Sequence, residues 1–167
     1  MEVVGDLLHI SGIGRDRMQL RWVSAAEGQL FARYVTEFSD TTREMGPFDL
    51  EKFAVPLAAV EQTLNSPRIR WLLGLTKQLT ERENVYHEKL DEDDYKELLR
   101  KATKEEYEKA LIAVAIKEGP CSVREISEKI GLPIYTISVR LNELERHGLA
   151  ELSGYDGTTP KFIGHAA

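Results

Sequence analysis

Six polar side chains near the C-terminal end have the types and spacing to grip a polyanion or a protein surface: Tyr135, Thr136, Ser138, Arg140, Asn142 and Lys161. The hydroxyls of Tyr135, Thr136 and Ser138 suit phosphate oxygens, while Arg140 or Asn142 suits the edge of a base. Lys161 adds a backbone contact to the same polyanion. A solvated helix face, or one that docks protein, is the competing account of these residues.

Other reactive types are sparse. The lone thiol, Cys121, follows Gly119-Pro120 near Arg124, a setting that lowers a thiol pKa; an inert thiol packed between helices is the commoner outcome. His9, His87, His147 and His165 are scattered, with no i,i+4 pair and no cysteine cluster, so metal binding is not expected. Asp91–Asp94 reads as a dipole-favoured helix start, and Gly12-x-Gly14 lacks the third glycine of a nucleotide loop. Trp71, flanked by Arg68 and Arg70, is expected to cover the edge of the core while the arginines pair with glutamates. No nucleophile–base or paired-carboxylate arrangement has local support, so an enzyme is the least supported reading. No cofactor is expected.

The elements that must position the six residues are legible around them. Thr103 with Glu106 is a capping box, followed by Tyr107, Leu111 and Val114 at helical spacing up to Gly119-Pro120. Ser122 with Glu125 is a second box, for a short helix carrying Val123, Ile126 and Ile130 and ended by Gly131. Pro133 opens a third helix with an Ile137–Leu141–Leu144 stripe, closed by Gly148. Leu149 and Leu152, the turn-rich Ser153–Pro160 and Phe162-Ile163 then predict two strands around a loop. Three helices and a hairpin in this order predict a winged helix-turn-helix over 104–167.

Upstream, residues 1–50 predict a small strand–helix segment. Val4, Leu7 and Leu8 suggest a short helix, and Met18, Leu20 and Trp22 alternate with Gln19, Arg21 and Val23 as a strand with one apolar face. Ser24 and Glu27 cap a helix lined by Phe31, Tyr34, Val35 and Phe38, which Gly46-Pro47 stops. The strand has no neighbour in the sequence, so Met18, Leu20 and Trp22 are expected at an interface, across a homodimer or with another protein. Residues 51–103 predict a helical connector: Pro56–Leu64, then a Ser66-capped helix burying Ile69, Leu72, Leu73 and Leu79, then a helix from Asp91 carrying Tyr95, Leu98 and Leu99. The fold class is therefore mainly α (α+β).

Composition bounds the setting. The chain has 167 residues and a net charge of −6, divided as −3, −1 and −2 over residues 1–50, 51–103 and 104–167. A slightly acidic winged helix works against nonspecific DNA affinity, so the motif favours double-stranded DNA and the charge favours protein. Glu2 and Asp6 in Met1–Ile10 argue against a secretory signal, one cysteine fits a reducing compartment, and no apolar run is long enough to span a bilayer. A cytoplasmic protein without membrane contact is expected.

The run from Gly12 to Gly28 (GIGRDRMQLRWVSAAEG), with Phe31-Ala32 and the Met45-Gly46-Pro47 stop, resembles the C-terminal part of the delta subunit of methyl-viologen-reducing hydrogenases. That resemblance implies electron transfer in anaerobes between a hydrogenase and heterodisulfide reductase, through an iron–sulfur cluster whose cysteines lie upstream of this segment. Four thiolates are needed for such a cluster and only Cys121 exists here, so the resemblance implies a docking portion without its redox centre. Two functions follow as expectations. One is a non-catalytic accessory or regulatory protein that docks hydrogenase or heterodisulfide reductase subunits. The other is a DNA-binding transcriptional regulator whose first hundred residues dimerise or sense a partner.

Overall fold

The computed structural model describes residues 2–165. Helices dominate it: α1 (Glu2–Ile10), α2 (Gly28–Met45), α3 (Ala54–Asn65), α4 (Pro67–Gly74), α5 (Thr76–Thr80), α6 (Glu92–Ala115), α7 (Val123–Ile130) and α8 (Ile134–Arg146). A C-terminal hairpin, β1 (Ala150–Asp156) and β2 (Thr159–Gly164), completes it. No described helix is long and apolar enough to cross a membrane.

The long helix α6 organises the chain. Its first half packs Tyr95, Leu99 and Ala102 against Val3 and Leu7 of α1, Val60 of α3, and Ile69 and Leu72 of α4. Its last turn carries Ile112 into a second core with Ile116, Ile126, Ile137, Leu141 and Leu144. The two cores therefore share one wall. Asp91 caps α6 by accepting the Asp93 N–H at 2.8 Å.

Several sequence expectations change here. Thr103 does not begin a helix: it lies inside α6, buried, and its hydroxyl donates to the Leu99 carbonyl at 2.7 Å. With no glycine or proline from Glu92 to Ala115, nothing interrupts the i→i−4 ladder, and a threonine bonded back in this way is tolerated mid-helix. Ser66 precedes α4 but does not cap it; its hydroxyl donates to Glu106 at 2.7 Å instead. Leu75 separates α4 from α5, so Leu73 stays in solvent while Ile69 and Leu72 are buried. Trp71 is 61% exposed rather than at the core edge, because Ile69 and Leu72 already hold the inward side of that short helix. Arg68 does reach acids, at 2.8 Å from Glu105 and 3.4 Å from Glu106.

The largest difference lies at residues 17–23. Arg17 ends a 3₁₀ turn (Arg15–Arg17), Met18 is extended, and residues 18–23 form no strand, since a ladder requires a partner and among the described residues none pairs with them. Ahead of α2, Glu27 accepts the Ser24 N–H, but Ser24 returns its oxygen to Ala26, so half of the expected box is made. Gly46, at φ 72°, ends α2 where the sequence places the stop.

Candidate nucleic-acid and docking interfaces

The winged helix is held by its caps. Ser122 accepts the Glu125 N–H while the Glu125 carboxylate accepts the Ser122 N–H at 2.7 Å, fixing the start of α7. Gly131 closes α7 at φ 72°, a left-handed conformation that favours glycine, and Ser127 donates to the Leu132 carbonyl across the tight turn. Pro133 then directs the chain into α8, whose Ile137, Leu141 and Leu144 are buried. Cys121 extends the hairpin by one residue, exchanging both backbone hydrogen bonds with Phe162 at 2.9 and 2.8 Å. Its thiol is buried, with the Lys129 ammonium 3.2 Å away. The wing turn is tighter than expected: Asp156 pairs with Thr159, so Gly157 and Thr158 alone form the loop, and a bulge at Ser153 bends β1.

The six sequence-selected residues divide. Tyr135 is 80% exposed and Asn142 is also in solvent. Thr136 is half-buried, and the Ser138 hydroxyl, though exposed, donates to the Ile134 carbonyl at 3.0 Å. Arg140 is not a free base reader. Its side chain is 15% exposed and donates to Glu108 at 2.9 Å and Glu143 at 2.8 Å, with Glu105 at 3.7 Å. Burial opposes that charge, but Glu108 and Glu143 hold the guanidinium pKa above its ordinary value. Lys161 is likewise spent, both Glu125 oxygens lying 2.7 Å from its ammonium. The physical reason is common to both: a cation beside partly buried glutamates gains more from pairing than from standing in water.

What remains outward on α8 is the row Tyr135, Val139, Asn142 and Arg146, at helical spacing. Ile134 and Val139 on α8, with Leu152 and Tyr155 on β1, add exposed apolar side chains that the sequence reading did not select. The 3.6-residue period, taken opposite to Ile137–Leu141–Leu144, marks Val139 and Arg146.

The second surface lies at residues 18–46. Helix α2 has no buried residue along its whole length, although Phe31, Tyr34, Val35 and Phe38 share one side. Phe31 is 60% exposed, and Trp22, on the extended segment, is 87% exposed. Arg21 lies over the Tyr34 ring at 5.1 Å, and Arg17 reaches the Met45 and Gly46 carbonyls at the end of α2. The segment and the helix thus touch each other but contribute nothing to either core. Among the described residues no cluster of three or more His, Cys, Asp or Glu is placed to hold a metal ion.

Comparison with known proteins finds two matches, each of which includes one of these surfaces. Residues 1–46 match the family model of the delta subunit of methyl-viologen-reducing hydrogenase, and residues 104–151 match that of winged helix-turn-helix DNA-binding domains. The chain carries a hydrogenase-delta-like segment ahead of a winged helix. The first match lies at the N-terminal end of this chain. One curated relative, an iron-sulfur subunit of the F420-non-reducing hydrogenase of Archaeoglobus profundus, is 46% identical over 46 residues, which is 28% of this chain. The match spans 34% of that relative, so the chain covers about a third of its length. No solved structure matches.

Proposed function

We propose that this chain is a non-catalytic accessory or regulatory protein that docks onto an anaerobic electron-transfer complex of the hydrogenase type. One observation carries the reading. Within the segment that resembles a hydrogenase subunit, α1 joins a core through Val3 and Leu7, but residues 18–46 leave Trp22, Phe31 and Val35 in solvent, outside both cores. Exposed aromatic and aliphatic side chains grouped on one helix mark a surface that another protein covers. The partners are hydrogenase or heterodisulfide reductase subunits. Cys121 alone supplies no four-thiolate cluster from this chain, so its contribution is a shaped surface. Affinity capture from an anaerobic host lysate tests this with the Phe31→Asp variant beside the native chain. Enrichment of those subunits that Phe31→Asp abolishes supports the reading; equal recovery by both overturns it.

A second reading, a regulator that binds double-stranded DNA, is favoured by one specific feature. The outward row of α8, Tyr135 to Arg146, lies on the helix that enters the major groove in this class of module. Selection of bound fragments from genomic DNA, followed by gel shift at rising salt, decides it. No shift at low ionic strength removes the DNA reading.

A further inference from the structure

We infer that α4 and α8 compete for one carboxylate of α6, Glu105, so that Arg68 of α4 sets how firmly α8 is seated in the winged helix. The relay belongs to the chain itself and holds whether α8 meets DNA or protein.

The distances make the first argument. Glu105, Glu106, Glu108 and Lys109 lie close together on α6 and reach both neighbouring helices. On the α4 side the contacts are short. Arg68 Nη1 lies 2.8 Å from Glu105 Oε2. Glu106 accepts the Ser66 hydroxyl at 2.7 Å, and it meets Arg68 at 3.4 Å and the Lys109 ammonium more closely still. On the α8 side the matching contacts are long. Arg140 Nη2 stands 3.7 Å from Glu105 Oε1, and Lys109 stands 3.9 Å from Glu143. Glu105 and Lys109 are thus within ion-pair distance of α8 but are drawn toward α4 and toward the acid that α4 binds.

Donor capacity and burial make the second argument. Arg140 spends Nε on Glu108 and Nη1 on Glu143, whereas among the described residues its Nη2 makes no hydrogen bond. That idle arm faces the carboxylate that Arg68 holds, and a planar guanidinium gains most when each arm is paired. Glu105 keeps only 19% of its side chain in solvent, so when it loses one cation it depends more heavily on the next. Arg68 is the open end of the relay, its side chain 47% exposed, where an approaching anion can draw it off. Helix α4 does not need Arg68 to stay in place, because Ile69 and Leu72 are buried in the core it shares with α6. Burial opposes the Arg68 charge, but Glu105 and Glu106 hold its pKa above the ordinary value. Burial likewise opposes the Glu106 charge, yet Lys109 and Ser66 hold that carboxyl below its ordinary pKa. With Arg68 withdrawn, Arg140 is the one cation left within ion-pair distance of Glu105 among the described residues.

A double-mutant cycle on the full chain, read by urea denaturation, tests this. Arg140→Ala is expected to destabilise an Arg68→Gln background more than the native chain, by at least about twofold in the unfolding constant beyond additivity, as for residues in one network. Adding Glu105→Gln to all four chains is expected to restore additivity, which a merely structural role for Arg68 would not produce. Arg68→Lys keeps the cation and is expected to give a smaller excess than Arg68→Gln. Hydrogen exchange reads the seat of α8 directly. The α8 amides of Arg68→Gln are expected to exchange more slowly than in the native chain, measured against α7, whose residues take no part in these pairs. That measurement needs only a single substitution, so it decides the matter even where the doubly substituted chain does not fold. An additive cycle, an excess of opposite sign, an excess that survives Glu105→Gln, or unchanged or faster exchange in α8 would each overturn the inference.

Discussion

Arg140 Nε donates to Glu108 Oε2 across 2.9 Å, and this pair locks α8 onto α6 at the centre of the winged helix. Glu108 has only 9% of its side chain in solvent, so removing its partner leaves a largely buried carboxylate without compensation. Arg140→Ala is expected to cost about 2–4 kcal/mol, at the lower side of what breaking a buried pair costs because water reaches this one. Urea denaturation measures it. Affinity for DNA or a docking partner, corrected for the folded fraction, should change less than twofold, whereas a base-reading arginine would lose affinity and leave stability intact.

Glu125 ties two elements together, capping α7 through Ser122 and holding β2 through Lys161. The hydrogen bond from Lys161, with the bonds from Ser122, depresses the Glu125 pKa from 4.5 to about 2. A carboxylate depressed on folding lends stability that is complete above its ordinary pKa and vanishes as the pH falls to the folded value. The native chain should therefore be more stable than Glu125→Gln near neutrality, and the gap should close between pH 4.5 and about 2. Acid titrations of both, followed by circular dichroism, check it; a gap that stays constant with pH means the pair does not form.

These two pairs also mark where sequence reading stopped. Helix ends were legible because caps are local: Ser122, Gly131, Asp91 and Gly46 each act within a turn of themselves. Arg140 and Lys161 were not, because their partners Glu108 and Glu125 lie 32 and 36 residues away and only the folded chain brings them together. Thr103 misled for the opposite reason. A Thr-x-x-Glu box is indistinguishable from a helix interior unless a breaker precedes it, and α6 has none. For the segment around Leu20, alternation predicts a strand that does not form, because a strand also needs a neighbour to complete its ladder.

If DNA binds the winged helix, its salt dependence should be shallow. Lys109, Arg140 and Lys161 are held in ion pairs with Glu106, Glu108 and Glu125, leaving Arg146 as the cation of the outward row. Each phosphate neutralised contributes a slope of about −0.9 in log affinity against log salt, so one winged helix should give a slope no steeper than about −2. Fluorescence anisotropy across a salt series measures it. A steep slope would mean that cations off this row, such as the exposed Lys117 and Arg124, or the glutamate-bound ones, also reach phosphate.

The shared wall of α6 governs how the molecule unfolds. Leu111 belongs to the core shared with α1, α3 and α4, and its neighbour Ile112, fully buried, belongs to the winged-helix core. Two domains on a flexible linker would melt separately, and a cavity in one would leave the other untouched. Here the helix cannot fray at its C-terminal half without weakening the platform for its N-terminal half. Ile112→Ala should cost about 2–5 kcal/mol, the usual penalty for emptying a buried aliphatic site. At roughly 2–4 °C per kcal/mol for a chain of this size, the melting midpoint should fall by about 4–20 °C. Calorimetry should show one transition before and after the substitution, shifted as a whole. A variant trace that splits, with one component at the native temperature, would show that the two cores fold independently despite the helix they share.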